Sequence, residues 1–250
     1  MKPALLLAAV LVVLAAPPAS ADTVLTLLNH TDEIKMMGRT TPAQTVTNEY
    51  WFGERATRYD SGETSVVMRV DLKKLFFVDH AEKTVSTIDL PFDFKSLVSP
   101  EMAPMMEQMS KMMQATTAVT PSDRTGSFGG YACKYSRIDI SLAMMKMEMD
   151  SCLSPDVPID YERYKELSEA QAELIPNADW MKDVAEKMKG FPVRSDTTTT
   201  MMGKSYKGWQ ELQKVDQRTP PPGHYDPPAD YREKKFDPMA EMQQGRGRGR

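Results

Sequence analysis

The sequence predicts an α+β domain built on one antiparallel sheet. Three observations carry this. The early part of the chain holds six short runs rich in Val, Thr, Tyr and Phe, separated by brief turns. A block of methionines then recurs at helical spacing. Two further strand-like runs each carry one of the chain's two cysteines.

The six runs are Thr23–Asn29, Thr45–Phe52, Ala56–Asp60, Thr64–Asp71, Leu75–Asp79 and Thr84–Leu90. Gly53-Glu54, Ser61-Gly62, Lys73-Lys74 and Ala81-Glu82-Lys83 supply turn chemistry between them. Alternation is visible in several, as where Val85, Thr87 and Asp89 interleave with Thr84, Ser86, Ile88 and Leu90. Short connections imply neighbouring antiparallel strands, a meander with one solvated face.

The period then changes. Met102, Met105, Met106, Met109, Met112 and Met113 form one stripe of an α-helix that begins near Pro104, with Glu107, Gln108, Ser110 and Lys111 on the other side. Strands follow at Tyr131–Ile140 and Met145–Leu153. Asp160 caps a helix whose face carries Tyr161, Tyr164, Leu167, Leu174 and Ile175, and Pro176 ends it. Asn177 caps another, bearing Trp180, Met181, Val184, Ala185 and Met188, with Lys187 and Lys189 at its cation-favouring end and Gly190 beyond. Two last strands are expected at Pro192–Met202 and Ser205–Val215.

The two ends frame a single domain over residues 22–231. Residues 1–21 read as a signal peptide: Lys2, an apolar run of 13 residues from Ala4 to Ala16, then Pro17-Pro18 and the small residues Ala19-Ser20-Ala21. That run is too short to span a bilayer, which takes about 20 residues. The expected location is therefore periplasmic or secreted. Residues 232–250 read as a flexible tail ending in a Gly-Arg repeat. Export and a net charge of −4 argue against nucleic-acid binding.

Export also makes Cys133 and Cys152 a disulfide pair. In an antiparallel hairpin, facing residues share a constant index sum. A sum of 285 puts the turn at Leu142-Ala143, between the two strands, with the cysteines opposite each other.

The hairpin reads Gly129-Gly130-Tyr131-Ala132-Cys133-Lys134-Tyr135 and then Ser151-Cys152-Leu153-Ser154-Pro155-Asp156-Val157-Pro158. Gly190-Phe191-Pro192-Val193 and Pro222-Gly223-His224-Tyr225 follow later. With this order of elements the chain resembles a family of exported bacterial domains of unknown function, related in fold to the lipoprotein carriers LolA and LolB. Cys152-Leu153 stands where members often carry an aromatic residue. The resemblance implies a strongly curved antiparallel sheet, an incomplete LolA-like barrel. Helices would cover its concave face and enclose an apolar cavity, which in the lipoprotein carriers takes acyl chains.

The candidate chemistry centres on methionine. The 102–113 stripe suits either core packing or a pliable lining for a hydrophobic ligand, a lipid or acyl chain. Met145, Met147 and Met149 alternate onto one strand face, where thioethers are also soft ligands for Cu(I). His30, His80 and His224 are scattered, and the sequence has no GxSxG, P-loop, HExxH or GxGxxG motif. The expectation is a non-enzymatic, monomeric protein without cofactor that binds a lipid or lipidated protein. A Cu(I)-binding protein and an interaction module with no ligand are the alternatives.

Overall fold

The computed structural model describes residues 21–236 apart from 37–38, 93–113, 144, 163, 167–168 and 170–178. Strands dominate. They are β1 (Asp22–Thr31), β2 (Ile34–Met36), β3 (Arg39–Thr41), β4 (Gln44–Phe52), β5 (Ala56–Ser61), β6 (Thr64–Arg69), β7 (Lys74–Asp79) and β8 (Thr84–Asp89). Then come β9 (Thr116–Phe128), β10 (Tyr131–Leu142), β11 (Met145–Ser154), helix α1 (Asp179–Lys187), β12 (Phe191–Met201), β13 (Lys204–Arg218) and β14 (Arg232–Glu233). Tyr161, Glu162, Tyr164, Lys165 and Glu166 are also helical.

Twelve strands form one sheet in the order β14-β8-β7-β6-β5-β4-β1-β13-β12-β11-β10-β9, and β2 and β3 pair separately. The sheet is open, with β14 and β9 at its edges. Every pairing in it is antiparallel except β14 with β8. β1 sits at the centre: it joins the β4–β8 meander to the β9–β13 half through β13. Its Leu25 and Leu27 are fully buried and cluster with Phe52, Val193 and Leu212. Each such side chain contributes roughly 1.5–3 kcal/mol by leaving water.

The expectation of one solvated face fails over β6–β8. Met68, Leu75 and Ile88 pack on one side, and Val67, Phe76, Val78 and Val85 pack on the other. Burial on both faces explains the unbroken Leu75-Phe76-Phe77-Val78 run. The second face is covered by the segment after β13, whose Tyr225 and Tyr231 join that cluster.

This segment continues its contacts past residue 231. Arg232 and Glu233 pair with Thr84 and Val85, and Phe236 packs on Phe77 and Phe92. The chain therefore passes from one face of the sheet, around the β8 edge, to the other. The Gly-Arg repeat and residues 1–20 lie outside the described residues.

The disulfide between Cys133 and Cys152 is present, with Cα atoms 5.3 Å apart. The register differs from the expected one. Tyr135, not Cys133, faces Cys152, and the β10–β11 pairs sum to 287, so the turn falls one residue later. The bond thus runs diagonally between neighbouring strands. A register break beside Cys152, where β11 meets β12, accompanies the offset. At the preceding turn Gly129 and Gly130 both have positive φ, 57° and 85°. Such a two-residue loop matches the twist of its strands.

Two elements were not legible in the sequence. β9 carries Pro121, Ser122, Asp123 and Gly126, which read as turn residues. It is tolerated because β9 is an edge strand, where a missing amide donor breaks no ladder bond. The register with β10 skips near Pro121, between Lys134 and Ser136. The β2–β3 hairpin is too short to show a period.

Candidate functional site

Residues from strands as distant as β7 and β11 line one cavity of ≈ 1660 Å³, so the sheet bends around it. The register shows which side chains share its face. Leu25 faces Tyr50, Tyr50 faces Tyr59, Tyr59 faces Val66, Val66 faces Phe77 and Phe77 faces Ser86. On the other half Thr197 faces Met149, and Met149 faces Ile138. Tyr50, Val66, Phe77, Met149 and Phe191 make the apolar lining, and Ser151, Ser195, Thr197, Thr199, Gln210 and Asn29 make a polar one.

Aromatic packing fixes the apolar part. Tyr50 and Tyr59 rings lie 4.4 Å apart, and Tyr164 packs between Phe52 and Phe191 with centroids at 6.3 and 5.3 Å. Burial pushes the Tyr50 hydroxyl well above its ordinary pKa, and Tyr59 and Tyr164 add to the effect. Both phenols therefore stay neutral, and Tyr59 accepts a 2.7 Å hydrogen bond from Asn48.

The sequence-predicted residues divide. Met102, Met105, Met106, Met109, Met112 and Met113 lie outside the described residues. Met145, Met147 and Met149 do share a face, opposite Leu142, Ile140 and Ile138. Met147 and Met149 pack in a cluster with Ile138, Ile140 and Val184, and Trp180 and Met188 join it, so α1 rests on this face. Along a strand the outer two methionines stand about 13 Å apart at Cα, which opposes convergence on one ion. Among the described residues, no group of three His, Cys, Asp or Glu is placed to hold a metal.

The opposite face carries several ion pairs and the segment after β13. Arg194 bonds Glu211 at 2.7 Å and stacks over Trp209, whose ring lies against His30. Arg137 reaches Glu148 at 2.9 Å. Ser65 and His80 approach to 2.7 Å, and His80 reaches Tyr231 at 2.9 Å. This is not arranged as a nucleophile and base. Ser65 is 1% exposed, and Asp60 accepts from Ser65 rather than orienting His80. The group ties the later segment to the meander. So does Arg58, which donates to the His224 carbonyl at 2.7 Å.

The polar lining went unnoticed in the sequence, although a signal exists. In Arg194-Ser195-Asp196-Thr197-Thr198-Thr199 the charges fall on one parity and a hydroxyl occupies every position of the other. Period-2 reading alone could have separated a charged outer face from an uncharged inner one.

Among the described residues, no helix is long and apolar enough to cross a membrane. The disulfide fits an oxidising compartment. No curated protein matches the chain in sequence. A solved structure of PNGF-II is similar at 8% identity and a TM-score of 0.37, over 90% of this chain and 32% of that one. A likeness so slight carries no argument. The chain spans about a third of that protein. One family matches, described as a domain of unknown function and covering residues 33–231, and the chain therefore belongs to the DUF4412 family.

Proposed function

We propose that this is a non-enzymatic periplasmic or secreted binding protein that holds a hydrophobic ligand, a lipid or acyl chain, in the cavity of its curved sheet. The observation that supports this most directly is the cavity itself. At ≈ 1660 Å³ it exceeds the roughly 300–1,000 Å³ usual for small-molecule sites, and Tyr50, Val66, Phe77 and Phe191 line it. Acyl chains offer no polar handle, so binding rests on apolar area at about 25 cal/mol per Å². The resemblance to the LolA and LolB carriers points the same way. In this reading α1 and the helical turns around Tyr164 cover the concave face, and the protein acts as a monomer on lipid or a lipidated protein.

The test is displacement of an apolar fluorescent probe from the purified chain by fatty acid or acylglycerol. Saturable, displaceable binding supports the proposal, and a folded protein that binds no probe ends it. The Cu(I) reading of Met145, Met147 and Met149 has less support, because two of the three pack against α1. Stoichiometric Cu(I) uptake that those three residues abolish on replacement by leucine would reinstate it.

A further inference from the structure

We propose that the ligand of this cavity is an uncharged amphiphile with a hydroxyl-bearing head, an acylglycerol or an alkyl glycoside in chemical class. This rests on the binding reading above. Backbone register places Asn29 opposite Gln210, Gln210 opposite Ser195 and Ser195 opposite Ser151. Four neighbouring strands thus carry one continuous row of amides and hydroxyls, and all four residues line the cavity. Thr197 and Thr199 extend it along β12. Ser151 is fully buried with its Oγ 2.9 Å from that of Ser195. Ser195 is only half-buried, and its hydroxyl has capacity for a further bond.

The charges beside the Asn29–Gln210–Ser195–Ser151 row stand on the opposite face, and Lys204, on the cavity face at the far end of β13, donates to the Lys35 carbonyl. Arg194 and Asp196 flank Ser195 and bond each other, and Glu211 beside Gln210 accepts from Arg194. Of the cations in the lining, Lys207 alternates with Gly208 and shares the face of its partner Thr198, while Lys234 follows β14 at the far edge. His30 is turned to Trp209 and Asp32. A carboxylate or phosphate head at the row would lose water and meet no cation, which costs more than its hydrogen bonds return. A hydroxylated neutral head finds donors and acceptors in equal supply.

A second observation agrees. Asn48 is 4% exposed, lies between the lining residues Val46 and Tyr50, and donates its amide to Tyr59. Its Oδ1 has no hydrogen-bond partner among the described residues. This buried acceptor behind the lining adds partial negative charge to the polar side and none that would draw an anion.

The experiment is competition against an apolar fluorescent probe at pH 8, below micelle concentrations. The competitors share one chain length: a 1-monoacylglycerol, an alkyl glucoside, a fatty acid and an anionic lysophospholipid. The expected result is that at least one neutral competitor displaces the probe at concentrations at least about tenfold below either anion, the yield of one or two net hydrogen bonds. Which neutral competitor wins identifies the head. The double variant Ser195→Ala, Gln210→Leu is expected to erase that preference, read as the ratio of neutral to anionic displacement within the same variant. Thr199→Val serves the same end should the double variant melt early. Equal or tighter displacement by the fatty acid overturns the proposal and leaves the binding reading standing. So does a preference that survives these variants. A wild-type chain that binds no probe overturns both.

Discussion

Tyr225 donates a 2.6 Å hydrogen bond to Asp22, joining residues 203 positions apart. Asp22 is 7% exposed and opens the central strand β1, so the bond fastens the late Pro-rich segment to the middle of the sheet. Trp51 of β4 continues the seam, with its ring 4.2 Å from that of His224. A hydrogen bond to a charged group contributes about 1.5–3 kcal/mol. Tyr225→Phe keeps the ring and removes only this bond. The unfolding free energy from urea denaturation is expected to fall by that amount, while Tyr206→Phe, at an exposed bond to the Lys35 carbonyl, leaves it nearly unchanged.

Three tyrosines make stability fall at high pH. Burial raises the pKa of Tyr50, Tyr59 and Tyr225, and the carboxylate of Asp22 pushes Tyr225 further. An unfolded tyrosine ionises near pH 10. Above that pH the unfolded chain sheds protons that the native state keeps, so native protein binds more protons and stability drops as pH rises. Little is lost from these groups until pH nears 10. For Tyr50 the slope approaches about 1.4 kcal/mol per pH unit above that. Denaturation midpoints at pH 8, 10 and 11 would show a decline that falls mostly in the last interval, shallower in Tyr50→Phe. A flat profile from 10 to 11 would refute this.

Gly190 admits no side chain. Its φ is +117°, and a Cβ there would stand 2.6 Å from the backbone carbonyl of Ser154. Neither atom can yield, because Ser154 pairs with Phe191 in the β11–β12 ladder. Gly190→Ala is expected to cost about 2 kcal/mol or more, read from the thermal midpoint. Gly203→Ala offers a control: φ is positive there too, but no neighbour lies within 4 Å. The difference between the two isolates the clash.

Reducing the Cys133–Cys152 bond should lower stability by about 3 kcal/mol, the chain-entropy value for a loop near its 19-residue separation. The measurement is the urea midpoint with and without reductant. Cys152 is fully buried in the cluster with Leu25, Phe191 and Leu212. Cys133→Ala with Cys152→Ala should therefore fall below the reduced protein, since it also empties core volume.

The sequence alone determined the local elements. Period-2 runs located the meander within a residue or two, because side-chain alternation and turn chemistry are read from neighbours. Compartment and cysteine count led to the disulfide pair, since two thiols leave one pairing. What failed locally was equally physical. A Pro- and Ser-bearing β9 cannot announce itself, and a diagonal disulfide follows from a strand register two positions away from the one that facing cysteines would set. The segment after β13 showed no element because its apolar residues, Tyr225, Tyr231 and Phe236, are spaced for none; each packs on strands far away in the chain. The cavity belongs wholly to tertiary structure. Alternation, had it been read, would place Ser195, Thr197 and Thr199 on one face, but only the pairing of β12 with β11 and β13 and the bend of the sheet brought that face opposite Val66 and Phe77. Curvature is a sum of small strand twists over many pairings, and no stretch of sequence carries that sum.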